Sequence, residues 1–207
     1  MPRSVYAVIP AAGHSRRMGR PKLLLRLGGQ TVISRVLTVL NPVVTRTVVV
    51  CRRDDDDLRL AAEAEGATIV QPPVDPPDMR ASVEHALRWL IGHDAPTSDS
   101  AWLLLPADHP LVEPAVLQSL LEASARQPES IVVPTHGGLR GHPTVLPWSL
   151  VPEVFVLPHT EGLNQLVRRK PERIVEVPVA SATVLAARAW NNPSWNTANE
   201  HAAKNEI

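Results

Sequence analysis

A chain of 207 residues with 44% hydrophobic and 20% charged residues is long enough to bury a sizeable core and too apolar to remain disordered. Its 21 Lys and Arg cancel its 21 Asp and Glu, which argues against the clustered basic excess of a nucleic-acid binder. One cysteine, Cys51, excludes an internal disulfide framework, and the lack of an apolar leader or an 18-residue apolar run predicts a cytoplasmic protein with no membrane span.

In chain order, short β-branched runs alternate with stretches of helical spacing. Residues 5–9 read as a strand, and residues 31–40 as a helix with Val32, Ile33, Val36, Leu37 and Leu40 on one face. A strand over 47–51 leads into the acidic run 54–57. Such a run suits a solvated helix start, because consecutive carboxylates on a helix point apart and cannot share one ion. The helix continues over 58–65, a strand follows at 68–71, and Pro72, Pro73, Pro76 and Pro77 stiffen the loop at its end. Helical spacing returns over 82–91, a strand over 101–105, a helix over 113–126 with Pro114 in its first turn, and a strand over 131–134. The second half is less regular: a strand over 142–146, a short helix over 150–155, a helix over 161–170 capped by Thr160, and a strand over 173–179. The polar tail from residue 191 carries a short helix near 200–204. Strands alternating with helices predict right-handed βαβ units, hence a three-layer α/β fold with a mixed, mainly parallel sheet. No linker divides the chain, so residues 1–207 read as one domain.

The segment after the first strand carries most of the chemistry: Pro10-Ala11-Ala12-Gly13-His14-Ser15-Arg16-Arg17-Met18-Gly19-Arg20-Pro21-Lys22. Small residues let backbone N–H groups approach an anion, while Arg and Lys neutralise phosphate. Only three of the 21 basic residues are lysines, which singles out Lys22. The spacing is neither the dinucleotide fingerprint nor a Walker A loop. A turn with solvated charges is the alternative.

This stretch resembles the signature of the MobA-like nucleotidyltransferases of the molybdenum cofactor type, roughly A-[AG]-G-x-S-x-R-[ML]-G-x-x-K. Ala12, Gly13, Ser15, Arg17, Met18, Gly19 and Lys22 fit it. The resemblance implies a Rossmann-like fold of the nucleotide-diphospho-sugar transferase type, with an NTP over this loop and Arg17 and Lys22 on its phosphates. The cytidylyl branch tends to read Ala-Ala-Gly, so Ala11-Ala12-Gly13 favours CTP.

Leu103-Leu104-Leu105-Pro106-Ala107-Asp108 is an apolar strand that ends in a carboxylate. From the residues alone, Asp108 reads equally as a Mg²⁺ ligand and as a cap of the helix near Glu113. The resemblance makes it the magnesium aspartate. His109, where the cytidylyl branch often has Gln, would touch a substrate or simply occupy a turn. A second ligand is expected late in the chain, where Ser194-Trp195-Asn196-Thr197-Ala198-Asn199-Glu200 loosely resembles N-x-N-T-P-E-D and offers Asn196; a capped polar tail is the other reading. Ser82 reads as a helix cap or first-turn residue, and by resemblance as a nucleotide contact. Arg140-Gly141-His142-Pro143 resembles the family's R-G-[HN]-P segment near the acceptor pocket. His159-Thr160-Glu161-Gly162 departs from the branch's Gly-Asp-x-Gly, matching only at Gly162. Cys51 reads as a buried small residue, and Trp89 and Trp102 as core.

The expected activity is Mg²⁺-dependent transfer of a nucleotidyl group, CMP from CTP, to a phosphorylated acceptor. By resemblance that acceptor is molybdopterin, with a molybdoenzyme as a possible recipient of the product. A sugar or polyol phosphate acceptor, and a non-catalytic nucleotide-binding or cofactor-chaperone protein, are the competing readings.

Overall fold

The computed structural model describes residues 3–13 and 21–185. β1 (Val5–Pro10) is followed by a 3₁₀ turn (Lys22–Leu24), a small hairpin of β2 (Arg26–Leu27) and β3 (Gln30–Thr31), and α1 (Val32–Leu40). β4 (Arg46–Val50), α2 (Asp56–Ala64), β5 (Thr68–Val70), α3 (Met79–His93), β6 (Ala101–Leu104) and α4 (Pro114–Arg126) complete the regular first half. Then come β7 (Ile131–His136), β8 (Leu139–Arg140), β9 (Thr144–Pro147), α5 (Val151–Val156), α6 (Leu163–Arg168) and β10 (Ile174–Pro178).

The main sheet runs β10-β7-β9-β6-β1-β4-β5, with β8 paired to β7. The pairs β1·β4, β1·β6, β4·β5 and β7·β10 are parallel. β9 runs antiparallel between β6 and β7, placing Leu104 opposite Thr144 and Trp102 opposite Leu146. The fold is therefore the expected three-layer arrangement with a mixed, mainly parallel sheet.

Period-2 alternation assigns each strand's side chains to the two faces. Ala7, Ile9, Val49, Leu103, Val132 and Val145 pack under α1, α2 and α4. Tyr6, Val8, Val48, Trp102, Leu104 and Leu146 pack under α3, α5 and α6. Both faces are covered, which explains why the strands are continuous apolar runs. Each fully buried Leu or Val contributes roughly 1.5–3 kcal/mol relative to an exposed one. Cys51 and Trp102 are fully buried, Trp148 packs edge-on against Tyr6, and Trp89 is half-buried against the ring of His93.

Local chemistry sets the boundaries. Thr31 caps α1, its side chain accepting from the Ser34 amide at 3.2 Å. Asp78 caps α3 by accepting from the Ala81 amide at 2.8 Å, so that helix starts three residues before the periodicity suggests and Ser82 lies within its first turn. The acidic run opens α2, neutralised by Arg52 and Arg59 from either side. α6 is shorter than expected, and it starts after Gly162 with no side-chain cap; Thr160 lies outside it. Gly137 and Gly138, both at positive φ, make the tight turn that pairs β8 with β7.

Candidate active site

β1 and β6 are adjacent and parallel, so both C-terminal ends open on one edge of the sheet, where α/β folds place ligands. Beyond β1 the chain stays extended: the Ala11 amide donates to the Val50 carbonyl at 2.8 Å, which holds Ala11 and Ala12 buried and leaves Gly13 exposed. Beyond β6, residues 105–107 carry the chain to Asp108. These two chain ends border a cavity of about 450 Å³. Ala11, Ala12, Gly13, Lys22, Ser82 and Asp108 all line it, as do Pro76 and Pro77 of the stiff loop. The expected residues Ser15 and Arg17, and the late metal candidate Asn196, lie outside the described residues.

Lys22 Nζ stands 3.0 Å from Asp108 Oδ2, although 86 residues separate them. Asp108 Oδ1 receives His109 Nδ1 at 3.0 Å. The His109 ring is 1% exposed, so its place is fixed by packing and it is a partner of Asp108 rather than a free turn histidine. Burial pushes the Asp108 carboxyl up, but the hydrogen bond from His109 and the charge of Lys22 outweigh it. The net effect holds Asp108 below the usual carboxylate range. Asp108 is thus a carboxylate held toward its charged form at a cavity edge, 33% exposed. It is a hard oxygen donor suited to Mg²⁺ when phosphate oxygens supply the other ligands. Among the described residues no three His, Cys, Asp or Glu side chains converge, so the donor set fits a metal shared with a nucleotide rather than a closed structural site. Ser82 is buried, and its hydroxyl donates to the Asp78 carbonyl at 3.2 Å, which leaves its lone pairs for the cavity.

A second cavity of about 660 Å³ lies on the α3/α5/α6 side and shares Asp78 and Met79 with the first. Its floor is the sheet face of Trp102, Leu104, Val133 and Leu146, and its rim carries Arg140 and Arg168. Arg140 of β8 pairs with Glu176 of β10 at 2.8 Å. Among the described residues, four side-chain atoms are fully buried without a hydrogen-bond partner: Arg80 Nε, Trp102 Nε1, His142 Nδ1 and Glu161 Oε2. All four belong to residues lining this cavity. Burial, together with nearby His109, pulls His142 down to about 4 against the opposing charge of Asp108. Orphaned polar atoms concentrate where a ligand completes the bonding. Sequence reasoning reached this cavity through the Arg140-Gly141-His142 and His159-Thr160-Glu161-Gly162 segments, which both line it. It missed Arg80 and Trp102, whose signals are an arginine on a helix's apolar face and a tryptophan within a strand.

A family model described as the MobA-like NTP transferase domain matches residues 7–174. The chain belongs to the MobA-like NTP transferase family. It is accordingly an enzyme of the nucleotidyltransferase type. A probable molybdenum cofactor guanylyltransferase of Natronomonas pharaonis is 32% identical over 143 residues, covering 66% of this chain and 68% of that protein. A 2-C-methyl-D-erythritol 4-phosphate cytidylyltransferase of Pseudomonas aeruginosa is 35% identical over 127 residues, 59% of this chain and 53% of that protein. In fold, Rv0371c from Mycobacterium tuberculosis H37Rv superposes with a TM-score of 0.71 at 23% identity, covering 86% of this chain and 89% of the other. No helix among the described residues is long and apolar enough to cross a membrane.

Proposed function

We propose that this MobA-like chain moves CMP from CTP to the phosphate of molybdopterin, with Mg²⁺, releasing pyrophosphate in the cytoplasm. The observation that carries the reading is the Lys22–Asp108 pair on the cavity at the end of β1 and β6. It sets a phosphate-binding cation beside a metal-binding carboxylate. The nucleotide lies over Ala11, Ala12, Gly13 and Ser15, with Ser82 at its sugar or base. Lys22 and Arg17 take its β and γ phosphates. Asp108, with Asn196, holds Mg²⁺, which supplies charge neutralisation at the phosphate oxygens. The two relatives are named for guanylyl and cytidylyl transfer respectively. Ala11-Ala12-Gly13 is what supports CTP here.

The acceptor lies in the second cavity, whose junction with the first at Asp78 and Met79 brings its phosphate to the nucleotide. An acceptor phosphate oxygen attacks the α-phosphorus in line. A new P–O bond forms, the α–β bridging bond breaks, and its electron pair leaves on pyrophosphate. The attacking phosphate is already anionic near neutral pH, so no general base is needed. The protein's work is orientation and charge stabilisation.

A polyol or sugar phosphate acceptor is the second reading, favoured by His159-Thr160-Glu161-Gly162 in place of Gly-Asp-x-Gly. Pyrophosphate release from CTP, GTP, ATP and UTP with Mg²⁺, with and without molybdopterin, tests both. Release confined to CTP with molybdopterin is expected. Release only with a sugar or polyol phosphate moves the chain to the second reading, and no release with any acceptor overturns both.

A further inference from the structure

The acceptor cavity holds a residue pair that neither the signature loop nor the metal carboxylate accounts for. Arg80 projects from the first turn of α3 and is 5% exposed. Its Nη1 donates to the carbonyls of Leu157 at 2.7 Å and Pro158 at 3.1 Å, and its Nη2 lies 2.8 Å from His159 Nδ1. Glu84, one turn along the helix, stands 3.5 Å from Nε and supplies the counter-charge. One arginine therefore clamps the 157–159 turn onto the N-terminal end of α3, at the junction of the two cavities.

A guanidinium has donors only. Nδ1 of His159 must present its lone pair to Arg80, and the proton of the neutral ring must reside on Nε2. His159 is exposed on the cavity side, so Nε2–H is the polar atom it offers there. The remaining chemistry of the wall matches that donor. Arg168, Asn164 and Trp102 line the same cavity. Of the two carboxylates, Asp78 Oδ1 caps α3 and Glu161 Oε1 pairs with Arg169 at 2.6 Å, while Glu161 Oε2 is fully buried. The solvent-facing donors beside His159, Arg168 and Asn164 among them, suit oxygen atoms that accept, above all anionic ones.

We infer that His159, locked in its Nε2–H tautomer by Arg80, binds an oxyanion of the acceptor substrate and so helps set which acceptor this enzyme takes. Arg80 is the positioning residue behind it. The inference rests on the nucleotidyltransferase reading above for its role in turnover, and on the ring's own chemistry for its mechanism.

His159→Asn and His159→Gln separate the two ends of the ring. Asn keeps an acceptor near the Nδ1 position and so keeps the Arg80 contact, but it has no donor where Nε2 stood; Gln extends its amide N–H toward the Nε2 position. In the pyrophosphate-release assay, H159N should raise the acceptor KM about tenfold, the loss of one charge-assisted hydrogen bond, and leave the CTP KM and the melting temperature in place. H159Q should recover most of the acceptor KM. An acceptor KM within about twofold of wild type in H159N, or an equal rise in the CTP KM, overturns the inference. Nitrogen NMR of the labelled histidine ring gives a readout that needs no turnover. A single Nε2–H tautomer is expected, and an Nδ1–H tautomer overturns the clamp. Should no acceptor support release, the preceding reading falls while this one is decided by inorganic phosphate added to wild-type protein. A shift of the His159 Nε2 resonance that grows with phosphate supports the donor role, and an unmoved resonance overturns it.

Discussion

Asp108 is where the chemistry of single residues is most concentrated. One carboxylate oxygen meets Lys22 and the other meets His109, both at 3.0 Å, and each contact favours the charged form. Asp108→Asn removes the charge while keeping the shape. Turnover should fall by about a hundredfold or more, and unfolding stability should change by less than about 1 kcal/mol, because the Lys22 pair is partly solvated. Pyrophosphate release together with thermal melts reads both quantities, and near-normal turnover would remove Asp108 from the metal role. Cys51 shows the opposite electrostatics. Burial, with Asp55 adding to it, pushes its thiol up to about 11, so the fold holds it neutral. An unfolded thiol ionises from roughly pH 8.5, so the contribution to stability is complete below that pH. It is lost as pH rises toward about 11, at up to roughly 1.4 kcal/mol per pH unit. Urea midpoints near pH 8 and pH 10.5 should therefore diverge in wild type and stay closer in Cys51→Ala; parallel declines would exclude the thiol as the titrating group.

Among the elements, α3 does most to organise the site, since its first turn borders both cavities. Asp78 closes that turn through the Ala81 amide, and Asp78→Ala should cost about 1 kcal/mol by loss of the cap. Because Asp78 also lines both cavities, the same variant should raise the KM for nucleotide and acceptor together. A change confined to one substrate would place the helix start beside only one of the two sites. The Arg140-Gly141-His142 segment has a different constraint. A Cβ at Gly141 would meet the Val184 carbonyl oxygen at 2.3 Å, and the His142 amide donates to that same oxygen at 2.9 Å. Gly141→Ala must push the Val184 strap away, with an expected loss of about 1–3 kcal/mol in denaturant unfolding. The glycine is present for this close approach, not for loop flexibility, which is why its role could not be read from the segment itself.

Across the whole molecule, stability and chemistry sit at opposite ends of the sheet. Arg3, before β1, donates to the carbonyls of Asp99, Ser100, Ser124 and Pro128 and to the Ser124 hydroxyl, at 2.7–3.1 Å. It gathers the starts of β1 and β6 and the end of α4 into one fork-shaped junction. Arg3→Ala should lower stability by about 2–4 kcal/mol, with kcat and KM near wild type below the melting transition. Arg3→Lys should recover little of it, since an ammonium cannot span those carbonyls. Differential scanning calorimetry and the release assay measure the two effects separately. A fall in kcat at unchanged stability would show that this far edge is coupled to the site.

Much of this architecture is written locally. The 3.6-residue and two-residue periods of apolar side chains mark the strands and helices of the first half, because burial on a face repeats at the period of the element. The small and basic residues between Pro10 and Lys22 carry the resemblance to the nucleotidyltransferase family, and that resemblance in turn gives Asp108 its expected metal role. Other features depend on residues far apart in the chain, and no local period carries them. The antiparallel insertion of β9 between β6 and β7 is one, as is the approach of Lys22 to Asp108 across 86 residues. The burial of His109 beside that aspartate and the seating of Arg80 on the turn before α6 are others. Strand order and register decide which side chains meet, and they follow from packing two whole layers of helices on one sheet. The second cavity is therefore a product of the tertiary structure, whereas the signature segment is a product of thirteen consecutive residues.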